Sequence, residues 1–497
     1  MVVGAAVSAL ALAAPADAQE PFFGASLNTV FQEQRIDRER WDGLVDAARA
    51  AGVRQGRSDA LWQWVERGNP LELDVPLWEW SRTDLMMRTM ATHGVHWLPV
   101  LAGVPPPERV DRRETHSPPA SLEHYARFVS EFARRYGRGG RYWSDNPEVP
   151  YLPVTAYEIW NEPNLSLFWR PQVQPDRYAE MYLLAREAIH AVDPEAVAIV
   201  GGLTVPMGNF VEEMFRTHPE LAGAVDAVGL HPYSRSGRGA VAWVKRLRQA
   251  LGRLGQGAVP IYITELGWPT QGRYSGRTLS DEDRALALEL AANSLARGNC
   301  GVRGVVAHSW ITPQKDPVHD EDWYGLFAPG RGLNKTGEAY SALIATRPEE
   351  RPAAVSSCGP LAEAAAGPDA DTDGDGLADG RESELGASLL DRDTDDDGLG
   401  DGQEARGGTD PARADTDGDL LPDGLELGSA RPIKDPRGAL RGTSRARFRP
   451  DRDPRTRTRA LRADSDGDGR SDGREDANRN GRRDPGETNP LKRDRPR

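Results

Sequence analysis

Cysteine is almost absent. Cys300 and Cys358 are the only two in 497 residues, so at most one disulfide can form, and in an exported chain it would tie the start of the carboxy-terminal region to the segment near residue 300. Long apolar runs are equally scarce. Residues 1–18 hold one, VVGAAVSALALAA followed by ADA, too short to span a bilayer and shaped like the apolar core and A-x-A cleavage site of an export signal. It lacks a Lys- or Arg-bearing start, and no Cys follows it to carry a lipid anchor. No other stretch is apolar enough for a membrane helix. Aromatic residues vanish late in the chain, where Phe448 is the only one beyond residue 341. The formal charge of −14 sits partly in that same late region as an Asp-rich segment, so it says little about what the first part binds.

From Phe22 to about Arg347, short apolar runs alternate with amphipathic stretches. Strands are expected at 22–28, 53–59, 96–103, 154–163, 196–204, 225–233, 259–268 and 302–312. Between them fall helices such as 37–52, 121–137, 176–192 and 280–298, several opening on Asp or Ser caps and closing at Gly. Eight β-then-α units predict an α/β fold, a (β/α)8 TIM barrel over residues 19–347, because parallel strands need crossover helices. A doubly wound open sheet is the alternative, disfavoured by the eight units and by the lack of a glycine-rich phosphate turn.

Two strand ends carry acids. In YEIWNEPN (157–164), Pro163 stops the pairing and leaves Glu162 at the mouth of the fourth strand, beside Asn161. In VPIYITELGW (259–268), period 2 puts Ile261, Ile263 and Glu265 on one side, with Glu265 where the apolar run stops at Gly267. A barrel brings both ends to one rim. Two facing carboxylates are the minimum for glycoside hydrolysis: one protonated to release the alcohol, the other to attack or stabilise an oxocarbenium-like carbon. Plainer roles stand beside these. Arg57 can pair with Glu158 inside the barrel; His308 and His319 read as structural; Trp62, Trp64, Trp78 and Trp80 either line a cleft or pack the insertion after the second strand.

YEIWNEPN and ITELGWPT, with HPY between them, resemble the clan A retaining glycoside hydrolases, most closely the xylosidase-like family 39. GVRQGRSDALW (52–62) resembles the second-strand pattern that places an Arg, here Arg57, near the nucleophile. YGLFAPGRGLNKTGEAYSAL (324–343) resembles the closing loop and last helix. The resemblance implies that Glu162 is the acid/base, that Asn161 holds the sugar 2-hydroxyl and that Glu265 is the nucleophile. It further implies that His231 and Tyr233 line the pocket and that Trp310 floors the sugar subsite.

After a linker (348–368), residues 369–487 repeat the pattern D-x-[DN]-x-[DN]-G-x5-E. Its spacing offers oxygens at loop positions 1, 3, 5, 9 and 12 and a backbone carbonyl at 7, a shell suited to Ca2+. The first copy supplies Asp371, Asp373, Asp375, Asp379 and Glu382, and the second Asp393, Asp395, Asp397, Asp401 and Glu404. Further on come Asp464, Asp466, Asp468, Asp472 and Glu475, then Asp476, Asn478, Asn480, Asp484 and Glu487. A copy at 415–426 has Leu420 where Gly is expected, which puts its turn in doubt. An Arg-rich insertion, about 431–462, precedes the last two copies, and residues 488–497 close the chain. EF-hands would need flanking amphipathic helices. The segment is more similar to thrombospondin type 3 repeats, which implies little regular secondary structure, with calcium in place of a hydrophobic core.

These readings combine into an exported, retaining β-glycosidase barrel on a calcium-stiffened tail. It would be secreted or at the cell surface, with no cofactor for catalysis. Its expected partner is an oligo- or polysaccharide, with no nucleic acid, no membrane span, and surface or matrix attachment through the tail. The rival is a non-catalytic carbohydrate-binding or adhesive protein that displays the same barrel.

Overall fold

The computed structural model describes residues 21–32, 36–67, 76–273, 277–346, 371, 373–378, 381, 382, 385, 387, 391–434, 442–445 and 447–493. The apolar start, the linker, Cys358 and Asp379 lie outside them. Eight strands pair in parallel and close a barrel in chain order. They are β1 (Phe23–Ser26), β2 (Gln55–Leu61), β3 (His96–Ala102), β4 (Ala156–Asn161), β5 (Val197–Thr204), β6 (Ala227–His231), β7 (Ile261–Leu266) and β8 (Val302–Ala307). Each is followed by a helix: α1 (Arg38–Ala50), α2 (Ser81–Thr92), α3 (Leu122–Tyr136), α4 (Pro175–His190), α5 (Phe210–Thr217), α6 (Gly237–Arg253), α7 (Asp281–Arg297) and α8 (Lys335–Ala345). Side-chain caps fix where several helices begin, with Asp37, Ser121, Ser280 and Asn334 each accepting a backbone N–H from the first turn.

The strands are buried on both faces. Outward residues such as Tyr157, Ile159, Ile261 and Ile263 pack in the main core beneath the helices. The barrel's amino-terminal end is filled from within by Leu98, Ala156, Ile199, Ala227, Tyr262 and Val306. Cys300 is buried and disulfide-bonded.

This packing corrects one step of the sequence reading. On β7 it is Tyr262 that faces the interior, whereas Ile261 and Ile263 face out. Glu265 still reaches the interior because β7 carries an extra residue against β8: Ile263 pairs with Val305 and Leu266 with Ala307. A bulge of one residue reverses the phase of everything beyond it. On β4, Glu158 points inward, while Trp160 packs outward against Tyr125 and Trp169. Trp160 and Glu162 both take left-handed backbone conformations, φ 70° and 44°, which side chains adopt only when their surroundings enforce it. That kink delivers Asn161 and Glu162 to the rim.

In the tail, short helices at Asp401–Gly407, Asp423–Glu426 and Asp472–Glu475 each end an acidic loop. The four tryptophans after β2 pack the insertion: Trp62 stacks on Phe128, Trp78 on Trp80, and Arg82 covers Trp64.

Candidate active site

Strand ends converge at the carboxy-terminal mouth of the barrel on one guanidinium. Arg57, wholly buried, donates to Glu158 through Nε (2.6 Å) and Nη2 (3.0 Å), to Asn161 Oδ1 through Nη2 (2.8 Å) and to Glu265 Oε1 through Nη1 (2.6 Å). Glu158 also accepts the Gly202 N–H (2.8 Å) and the Thr264 hydroxyl (3.2 Å). A buried ion pair persists only when its remaining lone pairs are satisfied, and these two donors satisfy them. Arg57 therefore pairs with Glu158 and also touches Glu265.

Glu265 Oε2 accepts the Tyr233 hydroxyl at 2.6 Å, with His231 Nδ1 at 3.5 Å and His308 Nδ1 at 3.7 Å. Burial by itself would raise this carboxyl's pKa. The charges of His231, His308 and Arg57, with the Tyr233 hydrogen bond, outweigh burial and hold it well below the usual carboxylate range. Tyr233 moves the other way: burial and the adjacent Glu265 charge push its phenol well up, so it remains a donor.

Glu162 is held differently. Its Oε1 lies 2.8 Å from His231 Nδ1, and the far nitrogen of that ring lies 3.0 Å from Thr264 Oγ1. Gly202 makes room for the ring, because a Cβ there would stand 2.0 Å from His231 Nε2. Oxygens of Glu162 and Glu265 and a His231 nitrogen all lie within 4.8 Å of one another. One carboxylate is clamped as an anion by several donors; the other is held by a single imidazole.

Glu162, Glu265, Asn161, Arg57, His231 and Tyr233 are thus brought together. Trp310 is not, and its expected place as the pocket floor is corrected. Its ring is fully buried, stacks on Phe327 at 5.1 Å and donates Nε1–H to the Leu44 carbonyl in α1, so it joins the barrel to its helical shell. His308, read from sequence as structural, stands in the site instead. Its signal was present: a polar residue directly after the apolar run VRGVVA, as Glu162 and Glu265 stand at the ends of theirs.

In the tail, five loops share one turn. At position 6 the backbone is left-handed in Gly376, Gly398, Leu420, Gly469 and Gly481 (φ 89°, 95°, 86°, 98° and 71°), and its N–H donates to the position 1 carboxylate (3.0, 3.0, 2.8, 2.8 and 2.7 Å). The copy with Leu420 therefore turns as the others do, and Asp415, Asp417 and Asp419 cluster like Asp393, Asp395 and Asp397. Among the described residues, one oxygen each of Asp373, Asp395, Asp417 and Asp466 at position 3 is buried without a hydrogen-bond partner, as is one oxygen each of Glu404 and Glu426 at position 12. Burial pushes Asp373 and Asp393 up to about 7, Asp401 to about 8 and Glu404 to about 10. Unpaired buried carboxylate oxygens at matching positions fit a hard, oxygen-seeking cation.

One expected ligand position falls elsewhere. Position 9 faces its own position 2 and the preceding loop: Asp401 accepts from Thr394, Asp423 from Thr416 and Asp472 from Ser465, while Asp423 clusters with Asp397 and Glu404. The position 5 carboxylates link the repeats, with Asp375, Asp397 and Asp419 accepting the N–H of Gly402, Gly424 and Gly473 in the next copy. In the last loop Asn478 and Asn480 donate to Asp484, and Glu487 accepts the N–H groups of Asn478 and Asp484, so these ligands are spent on one another.

Fold and site together define a parallel (β/α)8 barrel with two glutamates at the ends of its fourth and seventh strands. Residues 112–261 match the sequence model of glycosyl hydrolases family 39, a span that holds Asn161, Glu162, His231 and Tyr233. A β-xylosidase of Geobacillus stearothermophilus is 29% identical over 108 residues, which are 21% of this chain and 19% of that protein. The chain thus matches about a fifth of that relative's length. Among solved structures, a monomeric β-xylosidase from Caulobacter crescentus CB15 aligns with a TM-score of 0.51 at 19% identity, over 68% of this chain and 70% of that one. A glucosidase from Croceicoccus marinus aligns with a TM-score of 0.50 at 18% identity, over 66% and 69%. At such identities the likeness shows a shared barrel.

Proposed function

We propose that the chain is a retaining β-glycosidase. The observation that carries this reading is the pairing of two unlike glutamates at one rim, with one oxygen of each within 4.8 Å of the other. Retaining enzymes hold their carboxyl groups about 5–5.5 Å apart, against about 6.5–9.5 Å where a water must fit between them. Glu265, ionised and clamped by Arg57 and Tyr233, attacks the anomeric carbon. Glu162 protonates the departing oxygen and then takes a proton from the water that cleaves the glycosyl ester. Asn161, with its carbonyl oxygen on Arg57, turns its amide N–H2 toward the sugar 2-hydroxyl. The family match and the β-xylosidase relative make a β-xyloside the first substrate to try.

The acidic loops hold calcium in this reading, and bound calcium supplies the cross-links that a hydrophobic core would otherwise provide. The residues that fit are those at positions 1, 3, 5 and 12 of the loops beginning at 371, 393, 415 and 464. The apolar start, the A-x-A site and the disulfide at Cys300 support export. Hydrolysis of a panel of aryl β-glycosides, with the anomer of the first-formed sugar read by NMR, tests the assignment. Retention that disappears in Glu265→Ala is expected. Inversion overturns the mechanism, and sugar binding without turnover favours a display protein.

A further inference from the structure

We propose that His308 and Glu321 form a positioning dyad for Glu265, in which the imidazolium of His308, held from outside by Glu321, keeps Glu265 Oε2 anionic and aligned for attack. The inference rests on the two-glutamate reading above and adds residues that the reading does not need.

His308 is the first residue after β8. Its Nε2 lies 3.2 Å from Glu321 Oε2 and its Nδ1 3.7 Å from Glu265 Oε2. Among the described residues Nδ1 has no hydrogen-bond partner, although it is buried. Glu321 lies on the 3-10 turn Asp320–Trp323 with its side chain 76% exposed. The ring thus connects an open carboxylate to a closed one.

Its position is fixed on several sides. Tyr324 and Tyr233 pack edge-on against it, with centroids 4.9 and 6.1 Å away. The His308 N–H donates to the Leu266 carbonyl at 2.8 Å. Gly267 permits that approach, since a Cβ there would meet the His308 carbonyl oxygen at 2.1 Å.

The protonation state decides what such a ring does. A neutral imidazole that donates Nε2–H to Glu321 would aim the lone pair of Nδ1 at the Glu265 carboxylate, two negative surfaces face to face. The protonated ring aims an N–H there instead. Several other groups face the ring. Arg57 stands across the pocket, Tyr233 and Tyr324 are kept neutral by burial, Arg277 lies 5.3 Å from the Tyr233 ring centroid, and Asp320 adjoins Glu321. Burial and Arg57 oppose protonation. The two carboxylates outweigh them, and the imidazole's pKa lies above its ordinary value.

The test uses the full chain and an aryl β-xyloside with a leaving group good enough to depart without a proton from Glu162. In the unsubstituted chain, kcat/KM should fall as pH rises through the deprotonation of His308. Glu321→Gln removes the outer anion and should move that alkaline limb to lower pH by roughly half a unit, a typical effect for an exposed partner. His308→Phe should lower the plateau about 10- to 100-fold and abolish the limb, with circular dichroism showing that the fold is retained. A limb that survives in His308→Phe, or one unmoved in Glu321→Gln, overturns the dyad.

A second measurement separates this inference from the glycosidase reading. Titration of the His308 imidazole by 15N NMR should show a midpoint that falls in both Glu265→Gln and Glu321→Gln. Unmoved midpoints overturn the dyad whether or not any glycoside is hydrolysed. Falling midpoints in a chain that hydrolyses none uphold the dyad as an electrostatic unit and overturn the glycosidase reading alone.

Discussion

Arg57 Nη1 stands 2.6 Å from Glu265 Oε1 while the other edge of the same guanidinium is locked on Glu158. The orientation of Glu265 therefore depends on a wholly buried carboxylate, Glu158. Arg57→Ala would strand Glu158 as an unpaired buried charge, a loss of about 3–5 kcal/mol. Arg57→Lys keeps the charge but loses the planar fork. The Ala variant is expected to melt far lower or fail to accumulate. The Lys variant should fold and lose most of its turnover. An Ala variant with an unchanged melting temperature would show the pair to be dispensable.

The two glutamates should separate kinetically. Glu265→Ala is expected to abolish turnover of every glycoside, because no ester can form. Glu162→Ala should spare substrates with good leaving groups through the first step and stall at the ester, from which azide releases a glycosyl azide. Equal losses on an activated aryl glycoside, with no azide product, would contradict these roles.

Tyr233→Phe removes a hydrogen bond made to the ionised form of Glu265. Bonds to charged groups are worth about 1.5–3 kcal/mol, or roughly 10- to 150-fold in rate if fully expressed in the transition state. The sign for pH follows. Glu265 is held below its ordinary value, losing a donor raises it, and the acidic limb of kcat/KM should move to higher pH. A pH profile that superimposes on the parent's would exclude Tyr233 from setting that charge.

Chelation should open the tail and leave the barrel intact. The buried loop carboxylates have pKa values raised above their unfolded ones, to about 7 for Asp373 and Asp393 and about 10 for Glu404. Without metal, their contribution to stability is therefore fully present only below the unfolded value, near pH 4, and is lost as pH rises through 7 and beyond. Limited proteolysis in chelator should cut residues after 369 faster at pH 8 than at pH 5.5, and calcium should suppress the cutting at both. Equal cleavage with and without calcium would make these loops ordinary acidic linker.

Leu420 offers a gain-of-stability test. Its left-handed backbone costs a residue with a Cβ about 1–2 kcal/mol, whereas glycine gives back about 0.5–1 kcal/mol in unfolded-state entropy. Its side chain is 54% exposed, so little packing is at stake. Leu420→Gly is expected to raise tail stability by roughly 0.5–1 kcal/mol and to tighten calcium binding at the loop beginning with Asp415. Weaker binding in calorimetric titration would show that the leucine makes contacts of its own.

Most of the barrel was legible because strands buried on both faces read as apolar runs; β2, QGRSDAL, is the polar exception. Side-chain direction was less legible. Period 2 turns Glu265 to the correct side but groups it with the wrong neighbours, since the bulge at Ile263–Leu266 is set by pairing with β8 and leaves no mark on β7 alone. Trp310 and His308 exchanged expected places for a related reason. Which residue after β8 turns inward depends on the helix that receives the indole, a contact 266 positions away. In the tail, spacing revealed the loops. It did not reveal that position 9 serves the loop before, because that follows from how repeats stack.

The stacking treats chain length curiously. Asp375 reaches Gly402, and Asp397 reaches Gly424, across 27 positions, whereas Asp419 makes the same contact with Gly473 across 54. The column counts repeats rather than residues, so the Arg-rich insertion is an excursion that leaves its pitch unchanged. Part of that excursion returns to an earlier rung, where the Ser444 N–H meets Asp396 at 2.6 Å. Shortening this cationic arm would uncover the second loop, whose Asp393 and Asp396 it meets through Thr443 and Ser444.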